Sequence, residues 1–329
     1  MRTIAIEEHF RTPGIKAATS SGEWANTLRR LGPQALRHGS EVLRKLDDLG
    51  AERLADMDAA GIDMQVLSHT YPSVETLDVA DAVPLARDAN DALAEAVARH
   101  PSRFCGFATL PTPDPNAAAV ELERAVSTLG FKGALINGRT HDRFMDDQFF
   151  WPIFERAEAL DVPIYLHPGL PPAAVREDYY GNLSPSMSRW LSTAAWGWHI
   201  ETGLHALRLI VAGVFDRFPR LQCVIGHMGE AVPFMLGRAD MCLNRGITQL
   251  ERAVKDYFVE NFYITTSGFF ADPPLLCALQ VVGADRIIFS VDYPYSTNEE
   301  GQTFINAAPV SPADRDKIAH GNAERLLRL

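Results

Sequence analysis

Eight short apolar runs punctuate the chain: RTIAIEE, DMQVLSH, RFCGFATLP, KGALINGR, VPIYLHP, LQCVIGHMG, NFYITTSG and RIIFSVDYP. Each is rich in Val, Ile, Leu or Phe and nearly continuous, the pattern of a strand buried on both faces. Between them lie VLRKLDDLGAERLADMDAAG, VPLARDANDALAEAVARH, PNAAAVELERAVSTLG and WPIFERAEAL, whose apolar residues recur at intervals of three and four. That period predicts amphipathic helices, several of which stop at a Gly. Buried strands alternating with helices imply a parallel sheet with helical cover. Eight such units predict an α/β protein of the (β/α)8 TIM-barrel type, in one domain over residues 1–329. A doubly wound open sheet is the alternative, but no Gly-rich phosphate loop follows the first strand. Two connections, residues 10 to about 42 and 168 to about 194, exceed ordinary βα loops. Both follow strand C-termini, where long loops shape or cover an active site.

Polar residues gather where the strands end. The first strand closes on Glu7, Glu8 and His9, the fifth on His167, the sixth on His227 and the eighth on Asp292. In a barrel these ends meet at one mouth. Glu7 and His9, two apart, project to the same side, whereas Glu8 points the other way and reads as a solvated strand-end charge. Each residue has an ordinary role available to it. His167 suits a hydrogen-bonded boundary and Asp292 an Asx-turn or helix cap, while His227 could cap the next helix, with Glu230 in its first turn. Together, residues 7, 9, 167 and 292 form a mixed nitrogen and oxygen set suited to Zn²⁺ or Mn²⁺ with an open coordination position.

Composition narrows the partners. A net charge of -11 and a pI near 5.4 disfavour nucleic acid, which needs clustered Lys and Arg. Arg29, Arg30 and Arg37 are scattered and read as a solvated face. Cys105, Cys223, Cys242 and Cys277 show no CxxC spacing and read as buried thiols of a reducing, cytoplasmic compartment. No signal-peptide pattern opens the chain, and its most apolar helical stretch, LHALRLIVAGVF, is short and broken by Arg208, so no membrane span is expected. His199 and His205 read as interior or helix-face residues rather than ligands. His69 ends the second strand and could line a pocket; His38, His100, His141 and His320 lie near helix ends or in loops. Trp196 and Trp198 read as packing, and Tyr179, Tyr180 and Trp190 as either a lid or loop packing.

EEHF at the start, YLHPG at 165–169, GHMGE at 226–230 and FSVDYPY at 289–295, with ALINGR and ETGLHALRL between, together resemble one family. This is the amidohydrolase-related aromatic acid decarboxylases: the γ-resorcylate, 2,3-dihydroxybenzoate and 5-carboxyvanillate enzymes, with aminocarboxymuconate semialdehyde decarboxylase more distant. The resemblance runs almost end to end. Amidohydrolase barrels normally open with His-x-His, and Glu-x-His is similar to the decarboxylase branch. It implies a distorted, amidohydrolase-like barrel with one divalent ion (Zn²⁺ or Mn²⁺, with Mg²⁺ possible) on Glu7, His9, His167 and Asp292. His227 would be a catalytic group, hydrogen-bonded by Glu230, and Arg238 a substrate-binding residue.

The implied activity is non-oxidative decarboxylation of a hydroxybenzoate-like acid to CO2 and a phenol, with Asp292 delivering the ring proton. A homodimer or higher homo-oligomer is also implied. The competing expectation is a metal-dependent hydrolase of a small cyclic amide or lactone, in which Asp292 serves as base and His227 polarises the carbonyl. Gly169-Leu170-Pro171 and the 10–42 segment depart from the pattern of some members, so the particular acid does not transfer.

Overall fold

The computed structural model describes residues 1–32 and 39–329. Arg37 and His38 lie outside the described residues. Among the described residues nine strands form: β1 (Ile4–Phe10), β2 (Met64–His69), β3 (Phe104–Gly106), β4 (Ala108–Thr109), β5 (Ala134–Asn137), β6 (Ile164–His167), β7 (Cys223–Ile225), β8 (Phe262–Thr265) and β9 (Ile287–Ile288). All their residues are buried, as the unbroken apolar runs predict.

The strands pair in chain order and in parallel, β1-β2-β3 and then β4 through β9. The third predicted strand is split between the two sheets and joins them. Phe107 N–H donates to Leu67 O (2.9 Å) on one side, and Ala108 N–H donates to Gly133 O (2.8 Å) on the other. Across the far seam His9 N–H donates to Tyr293 O at 2.7 Å, bringing the last unit back to the first. Ile4, Ile6, Val66, Phe107, Leu135, Tyr165, Val224 and Ile288, contributed from around the ring, pack as one apolar cluster. Ala323 and Leu327 of the final helix, Asn322–Leu327, join it and plug the end opposite the strand C-termini.

Several expectations need correction. The 10–42 and 168–194 segments are not bare loops. The first carries helices Pro13–Ala18 and Glu23–Leu31 and enters a third at Ser40; the second carries Ala173–Tyr180 and Pro185–Ser192. Helices of six to nine residues complete too few turns for their period to stand out. The eighth strand is regular for only two residues. Beyond it Thr266 and Ser290 replace the ladder: Ser290 N–H donates to Thr266 Oγ1 (2.9 Å), which donates to Ser290 O (2.7 Å). Cys242 is exposed rather than buried. No described helix is long and apolar enough to cross a membrane.

β1 carries a bulge. Ala5 pairs with Gln65 but Glu8 pairs with Leu67, so one extra residue is accommodated between them. The end of this strand is held by Arg53, fully buried in helix Ala51–Ala60. Its guanidinium donates to His9 O (2.5 Å), Asp48 O (3.0 Å) and Gln65 Oε1 (3.1 Å) and lies over the Tyr293 ring. A buried cation is tolerable when its donors are satisfied in this way.

Candidate metal and active site at the barrel mouth

Glu7 is fully buried, and its two carboxylate oxygens face different surroundings. Oε2 accepts hydrogen bonds from the Tyr165, Thr265 and Ser267 hydroxyls, the Thr265 contact at 3.2 Å. Gly226 permits this arrangement, because a Cβ there would lie 2.7 Å from the same oxygen. Among the described residues Oε1 has no hydrogen-bond partner. It faces His167 Nε2 at 3.3 Å and His227 Nε2 at 3.6 Å. Burial pushes the Glu7 carboxyl above its ordinary range, although His227 and His9 oppose the shift.

His167 Nδ1 lies 2.9 Å from Pro168 O. A carbonyl only accepts, so that contact assigns the proton to Nδ1 and leaves an Nε2 lone pair facing Glu7. Burial, with His9 and His227 nearby, holds His167 well below the usual histidine range. Two lone pairs pointed at each other repel unless a cation lies between them. At His9, Nδ1 is 3.3 Å from Ser68 Oγ, a hydroxyl that can donate or accept, while Nε2 has no hydrogen-bond partner among the described residues and lies 3.2 Å from Asp292 Oδ1. Glu7, His9, His167 and Asp292 each place a ligand atom within 4.8 Å of the others. Two orphaned buried atoms in a four-residue nitrogen and oxygen set fit a divalent ion.

His227 stands beside this set. Burial disfavours its imidazolium, but Glu230, Glu7 and Asp292 outweigh burial and hold His227 well above the ordinary range. Glu230 bridges two imidazoles, with Oε1 2.7 Å from His227 Nδ1 and Oε2 2.7 Å from His199 Nδ1. Burial would raise the Glu230 carboxyl; the two histidines prevail and lower it. A tight backbone aims these groups: residues 227–231 all have positive φ, from 51° to 84°. Such conformations in His227, Met228, Glu230 and Ala231 are costly, and they persist where surrounding structure enforces them. Asp292, with φ 69°, is held the same way. Burial would raise its carboxyl too, but His227 and His9 keep it well below the usual range.

Above the cluster opens a cavity of about 340 Å³. Its walls are aromatic (Trp24, Tyr71, Trp190, Trp198, Phe269 and Tyr295), and His167, His227, His199 and Asp292 also line it. A planar ring fits such walls, with polar groups gathered on one side to orient it.

A family profile described as amidohydrolase matches residues 35–329. The chain belongs to the amidohydrolase family. Within that family it is 40% identical over 338 residues to a γ-resorcylate decarboxylase of Polaromonas sp. strain JS666, covering 99% of this chain and 98% of that one. A structure of the dihydroxybenzoic acid decarboxylase of Polaromonas sp. JS666, holding manganese and the inhibitor 2-nitroresorcinol, superposes with a TM-score of 0.88. It is 39% identical and covers 100% of this chain and 97% of that one. The 5-carboxyvanillate decarboxylase of Novosphingobium aromaticivorans, complexed with manganese and 4-hydroxy-3-methoxy-5-nitrobenzoic acid, superposes with a TM-score of 0.90. It is 35% identical and covers 100% of this chain and 96% of that one.

The fold brings together Glu7, His9, His167, Asp292, His227 and Glu230, all singled out from the sequence. It does not bring Arg238 to them: that residue is exposed on helix Val232–Cys242 and does not line the cavity. Glu8 differs from its reading in the sequence. It is fully buried rather than solvated, accepting from Val291 N–H (2.8 Å), Tyr293 N–H (3.0 Å) and Ser290 Oγ (3.0 Å). Burial pushes its carboxyl up to about 8 against those hydrogen bonds. His199 is interior, as expected, but it also lines the cavity, and so do Trp190 and Trp198. Tyr180 is buried and Tyr179 exposed. Tyr165 lies in the YLHPG stretch but has no role assigned there, and Thr265, Ser267 and Trp24 carry no motif of their own; only convergence in space marks the four.

Proposed function

We propose that this amidohydrolase-family protein is a carboxy-lyase that removes CO2 from a hydroxylated aromatic acid without oxidation. The observation that carries the reading is the Glu7, His9, His167 and Asp292 cluster beneath an aromatic-walled cavity, in a chain aligned over nearly its whole length with γ-resorcylate decarboxylases. One divalent ion, Mn²⁺ or Zn²⁺ with Mg²⁺ as a third choice, would be held by those four residues and would neutralise the carboxylate and phenolate of the substrate.

The chain's own groups supply the rest. Direct loss of CO2 would leave an aryl anion, so the ring carbon must gain a proton first. Asp292, at the cavity edge and ionised at rest, takes that proton from His227 and passes it to the carbon bearing the carboxylate. His227, held protonated by its anionic neighbours and 3.8 Å from Asp292, is the reservoir of that proton. Cleavage of the C–C bond then returns its electron pair to the ring as CO2 leaves. Glu230 orients His227, and the aromatic walls fix the ring plane and exclude water.

The same reading takes the chain as one domain working in the cytoplasm as a homodimer. Helix Val232–Cys242 supports the dimer, exposing Phe234 (81%), Met235 and Met241. Arg238 on that helix would then serve the partner's cavity. The test is to supply metal-loaded protein with a panel of hydroxybenzoates and follow CO2 and the matching phenol. Silence on that panel, with turnover of small lactones or cyclic amides, would put the hydrolase in its place.

A further inference from the structure

We infer that Arg189 is an anion subsite in the wall of the cavity, and that the preferred substrate carries a second acidic group besides the carboxylate it loses. The inference rests on the decarboxylase reading for the first carboxylate and adds to it the charge of the remainder of the ring.

Arg189 lies in helix Pro185–Ser192, is 6% exposed, and lines the same cavity as His167, His227 and Asp292. Its guanidinium lies 4.9 Å from the Trp24 ring and 4.2 Å from the Trp190 ring. The stacking holds the side chain in place but satisfies none of its in-plane donors. Nη1 donates to Thr193 Oγ1 at 3.0 Å, and Nε has no partner among the described residues. Among the described residues no carboxylate pairs with it, whereas neighbouring Arg176 reaches Glu23, and Arg139 reaches Glu201 and Asp142. Burial brings Arg189 down to about 10, so it still carries its charge at neutral pH.

A buried cation with donors free and no counter-ion is costly unless an anion arrives to meet it. The polar groups beneath the cavity are committed elsewhere: Glu7 and Asp292 face His9 and His167, and Glu230 faces its two histidines. An aromatic acid seated by one carboxylate over that cluster leaves Arg189 to a different substituent. A planar carboxylate matches the fork of a guanidinium.

Salicylate and 4-hydroxyisophthalate make a matched pair of probes, because they share the ortho-hydroxy carboxylate and differ by one further carboxylate. Quenching of the Trp fluorescence reports binding to metal-loaded protein without turnover. The wild type is expected to bind 4-hydroxyisophthalate about 10- to 100-fold more tightly than salicylate, as a charge-assisted pair would give. Arg189→Met should abolish that ratio and leave salicylate within about twofold; Arg189→Lys should keep part of it. Equal weakening of both ligands by Arg189→Met, or no preference in the wild type, would overturn the subsite. Discrimination together with silence on the whole hydroxybenzoate panel and turnover of small lactones or cyclic amides would instead overturn the decarboxylase reading and leave the subsite standing.

Discussion

Glu8 grips Asp292 by both of its neighbours, accepting the N–H groups of Val291 at 2.8 Å and Tyr293 at 3.0 Å. Asp292 sits in a left-handed conformation, which costs a non-glycine residue about 1–2 kcal/mol and persists only while it is held. Glu8→Gln sets an amide N–H₂ against one of those donors. We expect kcat to fall by about tenfold or more with the far-UV spectrum unchanged. A variant with wild-type kcat would show that the clamp has no bearing on the chemistry.

Asp292→Asn removes the proposed proton donor while keeping an oxygen toward the ion. A lost general acid costs about 10²- to 10⁴-fold in rate. The variant should show that loss with metal still bound, checked by elemental analysis of the protein used in the assay. Undiminished turnover with metal in place would remove Asp292 from the role.

Glu230 and His227 stabilise the metal-free protein as an ion pair, and the pH dependence has a definite sign. His227 is raised in the folded state, so its contribution is present below about pH 6.5 and fades as pH climbs through the raised value. Glu230 is lowered, so its contribution is present above 4.5 and fades as pH falls. Glu230→Gln should therefore cost most stability between these limits, near neutral pH, and least in strong acid and strong alkali. Denaturant titrations of the stripped protein across that range provide the check; a flat difference would mean that the pair is not ionised.

Glu75, away from the metal cluster, gives the opposite behaviour. It is buried, its Oε1 accepts from Ser73 N–H at 2.9 Å, and burial pushes it from 4.5 up to about 7. A folded-state value above the unfolded one means stability is fullest below pH 4.5 and declines as pH rises to about 7, by on the order of 3 kcal/mol. Glu75→Gln keeps the acceptor and removes the titration. Relative to wild type it should gain stability between about pH 5 and about pH 8. No such gain would mean that Glu75 is already ionised in the fold.

The order of the elements and the identity of the cluster were legible in the chain because both are local properties. Unbroken apolar runs report strands buried on two faces, and a (β/α)8 ring brings all their C-terminal ends to one rim, so Glu7, His9, His167, His227 and Asp292 could be collected without coordinates. Only the tertiary structure decided which charges are solvated and which are enclosed. Glu8 looks like a strand-end acid until the last strand breaks off after Ile288 and turns its backbone donors toward it. Arg189 and His199 sit in short or ordinary helices whose pattern says nothing of a cavity. Arg238, by contrast, follows a strand-end motif and faces outward. Burial and pairing depend on contacts between residues far apart in the chain, such as Glu8 and Tyr293, 285 positions apart, and such contacts leave no trace in local periodicity.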